Sequence, residues 1–172
     1  MAGPRTIRKR IEAQGFRDLD DPTLAELGPW IRWSPALCAA VMVVGVTLRS
    51  PLVLWALAGV AGIGAILPFH PFDLIYNHVV RRFTGTRPLP HNGPQRHFAC
   101  ALAATWLVAT GWAFVTGADV LGLVLGVALT SMAVLTSVTH ICVPSLIYNA
   151  LLRRPLVSSC SVARDGPARA RG

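Results

Sequence analysis

Over 172 residues the chain is 53% hydrophobic and only 14% charged, with a net charge of +8 and a mean hydropathy of +0.51. That profile belongs to an integral membrane protein and excludes an ordinary water-soluble core. Nucleic-acid binding is excluded as well, because no recognition motif accompanies the basic residues and anionic lipid headgroups at a membrane face account for them.

Residues 1–29 read as a cytoplasmic N-terminal segment. Arg5 to Gln14 are spaced as a basic amphipathic helix, and an acidic run follows from Asp18 to Asp21. Asp21-Pro22 predicts a helix start, with Asp as N-cap and Pro at the first helical position. Thr23 to Leu27 are expected on the membrane surface, and Trp30 and Trp33 fall where an interfacial aromatic belt would place them. Some thirty largely polar residues precede the first apolar window, so no secretory signal is expected.

Four apolar windows follow: Trp30 to Leu48, Pro51 to Phe69, Phe98 to Gly117 and Val120 to Val138, with Arg32 their only charge. Each is long enough for roughly 30 Å of helix, the depth of a bilayer core. The connections Arg49-Ser50 and Ala118-Asp119 are minimal, so residues 30–69 and 98–141 make two transmembrane hairpins. Residues 70–97 form a cytoplasmic loop with an interfacial helix over 71–83, and residues 142–155 form a second such helix. The tail 156–172 is read as disordered and basic. Of the 16 Lys and Arg residues, Arg49 alone falls on the short-turn side. The positive-inside rule then puts both termini and the central loop in the cytoplasm of a bacterial cell, with the spans in its inner membrane.

The stretch His70 to Arg82 returns 72 residues later as Cys142 to Arg154. Leu74-Ile75-Tyr76-Asn77 matches Leu146-Ile147-Tyr148-Asn149, and Arg81-Arg82 matches Arg153-Arg154, which points to an internal duplication. Each unit holds two crossings and one amphipathic surface helix, so successive units enter the membrane in the same sense, as a parallel repeat. The fold expected is therefore an all-α integral membrane protein of four transmembrane helices in two tandem hairpins. The paired arginines are expected at lipid headgroups. Helix packing is expected at Gly122 and Gly126, and at Ala58 and Gly62, because lipid gives helices no hydrophobic drive to associate and close backbone approach must supply dispersion.

The candidate functional cluster is His70, His140, Cys142 and Ser145, where a cytoplasm-facing pocket between the repeats would bring His140 and Cys142 to His70. Beside them helix four carries Thr130, Ser131, Thr136, Ser137 and Thr139, whose hydroxyls can also bond back to their own helix. No cofactor is predicted; haem or a divalent metal at His70 and His140 is the lesser alternative. His78, His91 and His97 read as solvated loop histidines, and Asp73 as an N-cap or first-turn acid matched by Ser145. Cys38, Cys100, Cys142 and Cys160 fall near or on the cytoplasmic side and are expected reduced. No nucleophile elbow, P-loop, dinucleotide fingerprint or zinc-protease motif occurs, so nothing in the chain argues for an enzyme.

Three segments carry a resemblance: Asp73-Leu-Ile-Tyr-Asn-His-Val-Val-Arg-Arg82, Gly93-Pro-Gln-Arg-His-Phe-Ala99 and Cys142-Val-Pro-Ser-Leu-Ile-Tyr148. With them, Pro71 to Arg154 resembles a bacterial membrane family known as domain of unknown function 4395. Many members carry Cys-x-x-Cys at the helix-four exit and travel with thioredoxin-like or sulfur-transfer proteins, which implies thiol or sulfur chemistry with a membrane partner. Here the second position is Ser145, so Cys142 lacks a local resolving thiol. The function expected first is a non-enzymatic accessory subunit of a membrane complex, with a membrane-protein partner or a second copy of the chain. The alternatives are a thiol or sulfur relay through Cys142, and a small carrier or channel formed by an oligomer.

Overall fold

The computed structural model describes residues 4–16 and 20–152; Arg153, Arg154, Cys160 and the basic tail lie outside them. Among the described residues the regular structure is all helical, with no strand. Two short helices come first, α1 (Pro4–Ala13) and α2 (Asp21–Leu27). A 3-10 turn, Trp30–Arg32, leads into α3 (Trp33–Thr47), which pairs with α4 (Pro51–Ile66). After a break come α5 (Pro71–Ile75), a π turn (Tyr76–Val80) and α6 (Arg81–Thr84), one behind another. The long helices α7 (Pro94–Val115) and α8 (Asp119–Thr139) and the shorter α9 (Val143–Leu152) complete the chain. Three helices are long and apolar enough to cross a membrane, or four if α4 and the run 71–84, bent from it by 84°, make one broken span.

The boundaries follow local chemistry. Ser50 caps α4, its Oγ accepting from Val53 N at 3.5 Å, with Pro51 at the first helical position. The N-cap of α2 is Asp20, one residue before the position predicted, because Pro22 is accepted at either of the first two helical positions. Gly93-Pro94 starts α7 four residues ahead of the apolar window, which puts Gln95, Arg96 and His97 on the helix. His97 is accordingly half-buried, with Nδ1 2.9 Å from the Ala65 carbonyl oxygen, where the sequence suggested a solvated loop. His78 and His91 are exposed.

The bundle is held by α4 against α7 and α3 against α8, around Met42, Leu54, Leu57, Leu107, Phe114 and Leu129. Arg49 Nη1 pairs with Asp119 Oδ2 at 3.0 Å across the two short turns, so both turns lie at one end. An added Cβ at Gly122 would sit 2.7 Å from Phe114 Cε1, and one at Gly126 2.5 Å from Val46 Cγ2, so only glycine admits these neighbours. Ala58 is buried in the same core. Gly62 departs from its expected packing role: a Cβ there would meet nothing within 4 Å. The buried stripe of α4 runs Leu54, Leu57, Ala58, Ala61 and Gly64, which turns Gly62 off the contact face.

A second, smaller core closes the other end. Ile11, Phe16, Ile31, Tyr76 and Leu89 are buried together, with Trp30 and Trp33 half-buried against them rather than out in an aromatic belt. Nor does α2 lie free on a surface: Thr23 and Leu27 are buried, and Arg87 bonds Thr23 Oγ1 and stands 3.6 Å from Glu26 Oε2. Tyr76 packs on Trp30 at 5.1 Å between ring centroids, and Tyr148 on Phe98 at 5.6 Å. Asn77 Oδ1 accepts from Leu89 N, while Asn149 Nδ2 donates to Ala13 O, both at 2.9 Å. Leu74 is half-buried, whereas Ile75, Val79 and Phe83, like Leu146, Ile147 and Leu151, are exposed apolar residues. Arg81 and Arg82 are exposed, and Arg81 Nε donates to Thr86 O.

Candidate functional site

Where α3 and α7 begin and α4 and α8 end, the four helices splay around a cavity of about 150 Å³. Its deep wall is apolar, from Met42, Leu57, Leu107 and Leu129. Its shallow wall is chemically richer. Cys38 of α3, Cys100 of α7 and Cys142 of the α8–α9 link all line it, together with His70, Arg96 and Ser145. The three thiols are free, unbonded to one another. Glycine makes room here too: a Cβ at Gly64 would fall 2.7 Å from His70 Cδ2 and 3.5 Å from Cys100 Sγ.

Charge in the cavity wall is neutralised locally. Arg96 Nη2 donates to Asp73 Oδ1 at 3.4 Å and stands 3.2 Å from Oδ2, with both side chains largely buried. Ser34 Oγ donates to the same Oδ1, and the Arg96 guanidinium lies 5.2 Å over the Phe16 ring. Asp73 is thus a buried anchor tying the α5 start to α3 and α7, beyond the first-turn acid that the sequence suggested. The N-cap of α5 is His70, whose Nδ1 accepts from Phe72 N at 3.3 Å. Burial first, then the Arg96 charge, lowers the His70 pKa to about 4 against the pull of Asp73. The imidazole is neutral at physiological pH.

His140 does not join His70. It ends α8 in the left-handed region at φ 58°, and Arg32 Nε donates to its Nε2 at 2.7 Å. Its carbonyl accepts from Gln14 Nε2, also at 2.7 Å. Burial, followed by Arg32 and Arg10, lowers its pKa to about 4. His140 Nε2 is thus occupied by Arg32, and His140 lines a second cavity while His70 lines the first. Among the described residues no three His, Cys, Asp or Glu side chains are grouped to hold a metal ion. The hydroxyls of α8 are likewise spoken for: Thr130, Ser131, Thr136, Ser137 and Thr139 each donate to the carbonyl four residues earlier.

Ser145 is one of five described residues with a buried side-chain polar atom that lacks a hydrogen-bond partner, the others being Trp33, Asp73, Asn92 and Gln95. It is 1% exposed, lines the cavity, and its Oγ has no hydrogen-bond partner. A lone buried hydroxyl costs about 1–3 kcal/mol of desolvation, so it marks a place where packing alone does not explain the residue. The second cavity adjoins the first, lined by Lys9, Arg10 and Gln14 of the N-terminal segment with His140, Cys142 and Ser145. Arg10 Nη1 donates to Thr139 O at 2.8 Å, which with the Gln14 bond ties that segment over the cavity mouth.

The family described as Domain of unknown function (DUF4395) matches residues 29–153. The chain belongs to that family. Its DUF4395 region spans α3 to α9 and every cysteine of the cavity, whereas α1 and α2 precede the match and pack onto it. Neither a curated protein nor a solved structure matches the chain. His70, Cys142 and Ser145 are legible as site residues from the sequence, whereas Cys38, Cys100 and Arg96 join them only in the fold. The available signal was depth: Cys38 and Cys100 lie one to two turns into α3 and α7, level with the helix exits that carry His70 and Cys142. Arg96 was hidden by assigning it to a loop.

Proposed function

We propose that the protein is an accessory membrane component of a thiol relay, with Cys142 as the group that meets a partner protein and Cys100 as its resolving thiol. The observation that carries this reading is the gathering of three free thiols from three separate segments at one cavity. Ser145 removes the neighbouring cysteine from the Cys-x-x-Cys arrangement of the family, and Cys100 on α7 supplies a second thiol across the cavity instead. In the relay the Cys142 thiolate attacks a disulfide of the partner, whose other cysteine leaves as thiolate and takes up the proton. Cys100 then attacks Cys142 Sγ and releases the partner. The chain ends with a Cys100–Cys142 disulfide and the partner ends reduced by two electrons and two protons.

The membrane setting proposed with it is four crossings in two tandem hairpins, related as parallel repeats, in a bacterial inner membrane. The Trp30–Tyr76 and Phe98–Tyr148 contacts support the repeat, as each sets the Tyr of one surface helix on the residue that opens its own hairpin. The Arg49–Asp119 pair, joining both short turns, supports equal insertion of the two units. Fifteen of the 16 basic residues then face the cytoplasm with both termini, and the exposed rows Ile75, Val79, Phe83 and Leu146, Ile147, Leu151 rest in the headgroup layer. A carrier lined by α8 is the weaker reading, because its hydroxyls are satisfied within the helix and Val120, Val124 and Val127 point outward as a lipid-facing row.

Trapping decides the relay. Full-length protein carrying Cys100→Ser, expressed in its membrane and quenched with acid, is expected to accumulate a mixed disulfide through Cys142, and Cys142→Ser to accumulate none. No adduct in either variant, or equal adducts in both, removes the relay and leaves a purely structural subunit.

A further inference from the structure

We propose that the cavity between α3, α4, α7 and α8 is a binding site for a neutral molecule the size of a single six-membered ring, bearing an acceptor oxygen held by Ser145 and His70. Size sets the first limit. An enclosed apolar cavity of roughly 150 Å³ takes up benzene when lined by aliphatic side chains, and this one, open at its mouth, has about that volume and a deep wall of Met42, Leu57, Leu107 and Leu129. Charge sets the second. Among the described residues of the wall the one guanidinium, Arg96, is already paired with Asp73, so a carboxylate entering here would find none of them a free cation to offset its lost hydration.

Two polar groups set the third. Ser145 Oγ is buried without a partner among the described residues. Because His70 Nδ1 accepts from Phe72 N, the neutral ring carries its proton on Nε2, and no described residue accepts from it. A hydroxyl and an N–H donor on the wall of a largely apolar cavity call for an oxygen acceptor on the occupant. Phenols and quinones share that chemistry, as a free small molecule or as the headgroup of a membrane lipid. Binding requires no cysteine to react, so the site stands or falls apart from the relay.

The test uses the full-length protein in mild detergent with phenol, toluene, benzoate and a fully substituted quinone carrying one isoprenoid tail. Two readouts are taken, the melting temperature and the rate at which maleimide labels Cys100 and Cys142. Phenol and the quinone are expected to raise the melting temperature and slow labelling, and benzoate to do neither. Tighter binding of the tailed quinone marks a lipid headgroup as the source; weaker binding marks a free small ring. Ser145→Ala removes only the hydroxyl and is expected to lower the preference for phenol over toluene by about five-fold, a comparison in which partition into the micelle cancels. Phenol must also stabilise Cys142→Ser, which separates this site from the relay. An unchanged phenol-to-toluene ratio in Ser145→Ala, or no effect of phenol and quinone on either readout, overturns the proposal.

Discussion

Asp73 and Ser145 hold the same place in two similar segments, third after His70 in one link and third after Cys142 in the other, and both are buried. Asp73 is bound by Ser34 and Arg96; Ser145 Oγ has no partner among the described residues. The first link is therefore a brace, in which an anion clamps three helices together, and the second is an open position facing thiols. Where two similar segments share their burial but not their partners, the unpartnered one is where a ligand or a reaction has room.

That contrast breaks most visibly at the brace. Asp73→Ala leaves the Arg96 guanidinium buried without its counter-ion, a loss of about 3–5 kcal/mol. Size-exclusion after mild heating in detergent is expected to show the variant aggregated under conditions in which the parent stays monodisperse. Next in size is Gly126→Ala, whose methyl would press on Val46; about 1–3 kcal/mol is expected from overpacking. Gly62→Ala, with open space around it, is the matched control and should be neutral or slightly stabilising.

Acid gives a graded effect. His70 and His140 have folded-state pKa values near 4 against an ordinary 6.5, so between those limits the unfolded chain binds more protons than the folded one. Their contribution is complete above pH 6.5 and is lost as pH falls toward 4. Melting temperatures measured across that window are expected to decline with acid, and His140→Asn, which also tolerates the left-handed backbone, should flatten the decline. The smallest effect belongs to the open position: Ser145→Ala removes an unsatisfied hydroxyl and should leave stability unchanged or raised by about 1 kcal/mol. A marked loss of stability there would mean that the hydroxyl has a structural partner after all, and the contrast with Asp73 would close.

Much of the fold was legible because its signals are strong and local. Long uncharged windows, the two minimal turns and the proline-marked breaks located α3, α4, α7 and α8 to within a few residues. The cap over the cavity was not legible, since Gln14 to His140 and Asn149 to Ala13 are contacts between segments more than a hundred residues apart. The same limit applied to Arg96, whose partner Asp73 lies 23 residues away and whose burial follows from where α7 begins. Gly62 shows the opposite error: its spacing from Ala58 suits helix packing, yet rotation of α4 turns it from the core. Spacing identifies a face; only the neighbours decide whether that face is used.

The relay is tested most directly by exposing reduced, purified full-length protein to an oxidised thioredoxin-like protein and mapping disulfides in the non-reduced digest. The account predicts a Cys100–Cys142 linkage in the parent and a stable Cys142-to-partner linkage in Cys100→Ser. All three cavity cysteines recovered as free thiols in both proteins would contradict it.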